Sequence, residues 1–133
     1  MRRTTVLSAL IACLAAVVVV VPTAAASGGA TTTRTIALSA SVSFPNATGT
    51  AVSKTAVGER ELDVEAQHIA VLAGKHVNVF VNGIKFASPL VSSLGQIHVD
   101  RSTDRGQFVP KIATGSTVRV RTLGGTLIAG GTF

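Results

Sequence analysis

Val77-Asn78-Val79-Phe80-Val81-Asn82-Gly83 alternates apolar and polar side chains, then stops on the strongest hairpin signal in the chain. Successive side chains of a strand point to opposite faces, so Val77, Val79 and Val81 line one face together. A type I′ turn needs positive φ at both central residues, which Asn-Gly supplies at little steric cost. The segment 84–87 then returns as the second arm. Phe80 breaks the pattern, because it lies on the polar parity between two inward valines. It is expected to be covered by a second layer, the alternative being an exposed contact.

The same period of two extends in both directions. Upstream, Ile36, Leu38, Ala40, Val42 and Phe44 share one parity, and Leu62, Val64 and Ala66 alternate with Glu61, Asp63 and Glu65. Downstream, Ile97 and Val99 face in, as do Val118 and Val120 between Arg119 and Arg121. A weaker strand covers 50–56, and a last one runs toward Phe133. Pro45-Asn46 through Gly49, Val57-Gly58-Glu59-Arg60 and Leu123-Gly124-Gly125-Thr126 carry turn chemistry. Residues 69–73 suit a loop or one helical turn, residues 101–106 a polar loop, and Pro89 an edge or bend. No amphipathic helical repeat of useful length follows residue 30. The pattern predicts an all-β fold, an antiparallel β-sandwich or small barrel of about seven or eight strands. Gly74, Val77, Val79 and Gly83 recur 41 positions later as Gly115, Val118, Val120 and Gly124. Shared strand-and-turn grammar accounts for that echo as well as duplication does.

The N-terminus reads differently. Arg2 and Arg3 precede an apolar run over 6–21, and Pro22 ends any helix there because it lacks a backbone donor. Ala24 and Ala26 give the small-x-small pattern of a signal-peptidase site, which places cleavage before Ser27. The run is shorter than the roughly 20 residues of a spanning helix, so a retained anchor is the weaker reading. The expected organisation is a helical signal peptide over 1–26, a flexible leader over 27–33 and a single β domain over 34–133. No membrane span follows removal of the signal, and the expected location is secreted or extracellular, with envelope association as an option. Cys13 after Leu10-Ile11-Ala12 resembles a lipobox, and the alternative this implies is an envelope lipoprotein lipidated at Cys13.

Removal of 1–26 takes the single cysteine with it. The remaining chain then has no disulfide, no thiol nucleophile and no thiolate metal ligand. It must be held by its core, which a domain of this size can do. Ten Lys and Arg against six acids leave it at +4. Asn46-Ala47-Thr48 matches a glycosylation sequon. The bacterial style of the signal implies that it stays bare.

Candidate sites are few. His68, His76 and His98 are the three histidines, read as surface groups unless the fold gathers them around a metal. Residues 100–106 resemble part of a calcium loop, but the glycine comes one place late and Lys111 stands where a bidentate Glu belongs. They are read as a turn. Glu61, Asp63 and Glu65 form an acidic row, expected to be solvated or paired with Arg119 or Arg121 across strands. No nucleophile elbow, S-x-x-K element or phosphate-binding glycine loop is present. The expectation is therefore no catalytic, cofactor-binding or metal residues and no cofactor. Arg119 and Arg121, with Lys111, are the candidate anion-binding patch. The absence of Tyr and Trp argues against nucleic acid, which favours stacking aromatics.

The stretch 60–133 resembles a small β module of exported bacterial proteins, sometimes found in tandem. The resemblance rests on Arg60-Glu61-Leu62-Asp63-Val64, Gly74, Val77, Val79, Val81, Asn82-Gly83, Gly106, Val109-Pro110, Gly115-Ser116 and Gly131-Thr132-Phe133. There is also a faint similarity to the CHRD-type β domain, without its histidine-rich segment. Neither resemblance implies an activity or site residues. The combined expectation is a secreted, non-catalytic binding or structural module. Its partner would be an anionic cell-envelope polymer or another protein chain. The alternative is an enzyme or inhibitor with a loop-built site.

Overall fold

The computed structural model describes residues 19–23 and 29–133. Nine strands follow one another among the described residues: β1 (Val19–Thr23), β2 (Thr31–Ala40), β3 (Thr48–Ala56), β4 (Glu59–Gln67), β5 (Val77–Val81), β6 (Ile84–Ala87), β7 (Ile97–Ser102), β8 (Thr117–Thr122) and β9 (Leu127–Thr132). Two single 3-10 turns, η1 (Ala70–Leu72) and η2 (Thr103–Arg105), complete the set. All pairings are antiparallel. Eight strands run in the order β6-β5-β8-β9-β2-β3-β4-β7, with β1 added beside β2. The sheet curls into a nearly closed barrel, so the expected all-β class is what the chain adopts.

Alternation explains the curl. Ile36, Leu62, Val64, Val77, Val79, Val81, Val118, Val120 and Ile128 are buried from opposite sides of one interior. Each comes from the apolar parity of its strand, as a half-buried sheet requires. The two end strands, β6 and β7, are not hydrogen-bonded to each other along the path. A side-chain contact spans that seam instead: the Arg101 guanidinium of β7 lies 5.0 Å from the centre of the buried Phe86 ring of β6. An arginine there covers an apolar ring while its charged head keeps access to water.

β2 is the strand that joins the two halves of the barrel. One edge pairs with β3 over residues 32–38. The other edge is shared, by β1 opposite residues 31–35 and by β9 opposite Ser39 and Ala40. Two expectations differ from this arrangement. Thr31, Thr32 and Thr33, read as part of the leader, are already in the sheet; threonine is β-branched and suits that role. Val19–Thr23, read as part of the signal helix, is a strand, for the same reason: its valines are β-branched. The rest of the expected signal peptide, with Cys13, lies outside the described residues.

The Asn82-Gly83 hairpin forms as read, with φ of 50° and 78°. Asn82 also reaches beyond its own turn. Its Oδ1 accepts from the Thr117 backbone N–H at 3.0 Å, and its own N–H donates to the Thr117 carbonyl at 2.9 Å. The turn is thereby fastened to the start of β8. Asn82→Ala removes that side-chain bond and leaves an alanine in the left-handed region. The expected loss is about 1–2 kcal/mol, read as a fall in Tm with unchanged far-UV circular dichroism.

Candidate functional site

The outward faces of the strands carry the charge, and the register sorts it. All six acids lie on β4, β7 and η2: Glu59, Glu61, Asp63, Glu65, Asp100 and Asp104. β5, β6, β8 and β9 carry none. The barrel therefore has one half that holds every acid, mixed with Arg34, Lys54, Arg60, Arg101 and Arg105, and another whose strand charges are Lys85, Arg119 and Arg121 alone.

On the basic half, cross-strand register places Lys85 opposite Phe80, Phe80 opposite Arg119, and Arg119 opposite Gly130. Phe80 is half-buried on the outer face of the single curved sheet. It is not covered by the second layer expected of it; closing the sheet on itself fills the interior and leaves the outer face to solvent. Beside Arg119, Gly130 has no side chain, and Ser39, Ala40, Leu127, Gly130, Gly131 and Thr132 complete an open hollow of about 270 Å³. Arg121 is committed elsewhere, its guanidinium donating to the Gly125 carbonyl of its own hairpin at 2.9 Å. Lys111 lines a separate hollow with Thr55, Glu59, Arg60 and Thr103. Of the patch expected from sequence, Arg119 is therefore left with an open anion-sized space, and Lys111 is not part of its hollow. Lys85 and Phe80 were missed as members. The signal available was their spacing around the Asn82-Gly83 turn, which sets Lys85 across from Phe80.

The acidic half is partly neutralised. Lys54 Nζ meets Glu61 Oε1 at 3.1 Å, and Arg105 meets Asp100 Oδ1 at 3.0 Å. The acidic row does not reach Arg119 or Arg121, which sit on the other half. Asp63 and Glu65 instead face His98, because Glu65 and His98 are direct partners in the β4–β7 register. His98 Nε2 is 2.9 Å from Asp63 Oδ1 and 3.9 Å from Glu65 Oε1. The three groups offer ligand atoms within 4.8 Å of one another.

The other two histidines are apart from this cluster. His68 Nδ1 is 2.9 Å from the Thr48 hydroxyl, and His76 Nδ1 is 2.9 Å from the Ser88 carbonyl. The three histidines are not gathered into one site. Of the segment resembling a calcium loop, Asp100 to Ser102 are the end of β7 rather than part of the expected turn and polar loop, and only Thr103 to Gly106 form a turn. Ser102 Oγ accepts from the Asp104 N–H, Gln107 Oε1 accepts from the Ser102 N–H, and Gly106 takes the left-handed conformation that ends η2. Asp100 pairs with Arg105 at 3.0 Å.

In class, then, the chain is an antiparallel barrel with charge divided between its two halves. No protein-family model, no curated protein and no solved structure matches it.

Proposed function

We propose that this chain is an exported, non-catalytic binding module that engages an anionic polymer of the cell envelope through its basic half. The single observation that carries the reading is the division of charge. Lys85 and Arg119 have no acidic partner among the described residues, while every ion pair found there lies on the other half. Unpaired cations of one sign on a common face raise the local concentration of an anionic partner. Phe80 between them adds an apolar surface for the partner's backbone, and the hollow over Gly130 gives an anionic group space next to Arg119.

Retention of the purified protein on an immobilised phosphate-bearing polymer tests this. Binding is expected to weaken steeply with added salt, as screened charge–charge contacts do. Lys85→Ala combined with Arg119→Ala is expected to lower affinity about tenfold or more, at about 1 kcal/mol for each cation near an anionic surface. Lys111→Ala, in its separate hollow, is expected to leave affinity unchanged. Equal retention of the double variant and the parent protein would refute the reading.

A further inference from the structure

We propose that Asp63, Glu65 and His98 form a binding site for a divalent transition-metal ion of the zinc class, on the half of the barrel opposite the basic face. The ligand types fit such an ion: one imidazole nitrogen and two carboxylates, which zinc accepts with three protein ligands and an open position.

Three observations converge on these residues. First, their placement is rigid. Asp63 and Glu65 are two apart on β4 and so project from the same face, and His98 is the β7 residue paired with Glu65. Ligands on hydrogen-bonded strands need little reordering to take up an ion, unlike ligands on a loop. Second, the nearby Lys and Arg side chains leave these carboxylates to His98 alone. Asp100, directly opposite Asp63, is held by Arg105, and Glu61 is held by Lys54. No Lys or Arg pairs with Asp63 or Glu65 among the described residues, and like charges opposite one another on a sheet repel.

Third, Asp63 Oδ1 is shut off from solvent and receives no hydrogen bond, the one side-chain atom of that kind among the described residues. Its one close polar neighbour is His98 Nε2 at 2.9 Å, and the rest of the Asp63 side chain is 34% exposed. A buried carboxylate oxygen without a donor costs free energy, and a shared cation between the two atoms would satisfy both. Two donors bound to tetrahedral zinc at about 2.1 Å lie about 3.4 Å apart, so separations of 2.9 and 3.9 Å need only small side-chain adjustments. Beside Glu65 and His98, an open hollow of about 300 Å³ lined by Leu90, Ser92 and Gln96 leaves room for water or an external ligand at the remaining position.

The test is titration of the purified protein with zinc chloride, followed by calorimetry and by the ring signals of the three histidines in NMR spectra. Saturable binding near one equivalent is expected, with the His98 ring shifting while His68 and His76 stay in place. His98→Gln and Asp63→Asn are each expected to weaken binding about tenfold or more, the scale on which altering even an outer partner of a metal ligand acts. His76→Gln is expected to change nothing. Absence of saturable binding up to millimolar zinc would overturn the proposal. So would unchanged affinity in a folded His98→Gln protein, or all three histidines shifting together. Calcium in place of zinc, bound equally well, would also overturn it, because a hard cation has no use for the imidazole. The histidine readout on the parent protein keeps the test independent of how well either variant folds. Failure here leaves the polymer-binding reading untouched, since the two faces share no residue.

Discussion

Gly95→Ala is expected to destabilise the protein by about 3 kcal/mol or more, enough to lower Tm by well over 10 °C in a domain of this size. Gly95 lies in the loop that leads into β7, with φ of 73°. Its carbonyl accepts from the Ile69 N–H at 3.1 Å, and its N–H donates to the Ser92 carbonyl at 2.9 Å, so the backbone is held in place from both sides. A Cβ there would stand 2.3 Å from the Ala70 backbone nitrogen and 2.6 Å from its Cα. Backbone cannot swing aside as a long side chain can. Two costs therefore add: about 1–2 kcal/mol for the left-handed conformation and about 1–3 kcal/mol for the overpacking. Gly58→Ala supplies the comparison. Its φ is 77°, yet nothing lies within 4 Å of the added Cβ. It should show the conformational cost alone, about 1–2 kcal/mol. Thermal melts of the two variants side by side decide the matter, and equal losses would mean that the loop yields to the clash.

Leu62→Ala is expected to cost about 3–5 kcal/mol, with Val42→Ala close to zero as its surface counterpart. Leu62 is wholly buried in the middle of β4, and Val42 is 99% exposed. The deletion removes transfer free energy and leaves a cavity, because the surrounding side chains sit on hydrogen-bonded strands that collapse poorly into the space. Small domains have total stabilities of about 5–15 kcal/mol. No disulfide can make up the difference in a chain with a single cysteine. Urea unfolding followed by circular dichroism reads the change in midpoint, and a loss under about 1 kcal/mol would mean that the interior is more loosely packed than its burial implies.

How much of this was legible depended on the range of the interaction involved. Asn82-Gly83 was readable because a type I′ turn is a property of two adjacent residues. The inward set on β4, Leu62, Val64 and Ala66, was readable because alternation is local as well. Phe80 was misjudged for a nonlocal reason. Whether the back of a strand is covered depends on how the whole sheet closes, and here it closes on itself. The patch of Arg119, Arg121 and Lys111 was proposed from like charge at short spacing, but Arg121 turns back to the Gly125 carbonyl and Lys111 falls in another hollow. The cluster of Asp63, Glu65 and His98 is legible in sequence only in parts, as an acidic row and as a surface histidine. Nothing in the order of residues pairs position 65 with position 98.

Sequence alone determined the class of this protein: alternating valines, leucines and isoleucines, punctuated by turn residues, can bury their apolar sides only as strands around a shared interior. Tertiary structure alone decided which strands became neighbours. Strand order and register rest on long-range packing and loop closure, energies that no local pattern encodes, and they are what kept Lys85 and Arg119 away from every acid and set His98 against two carboxylates.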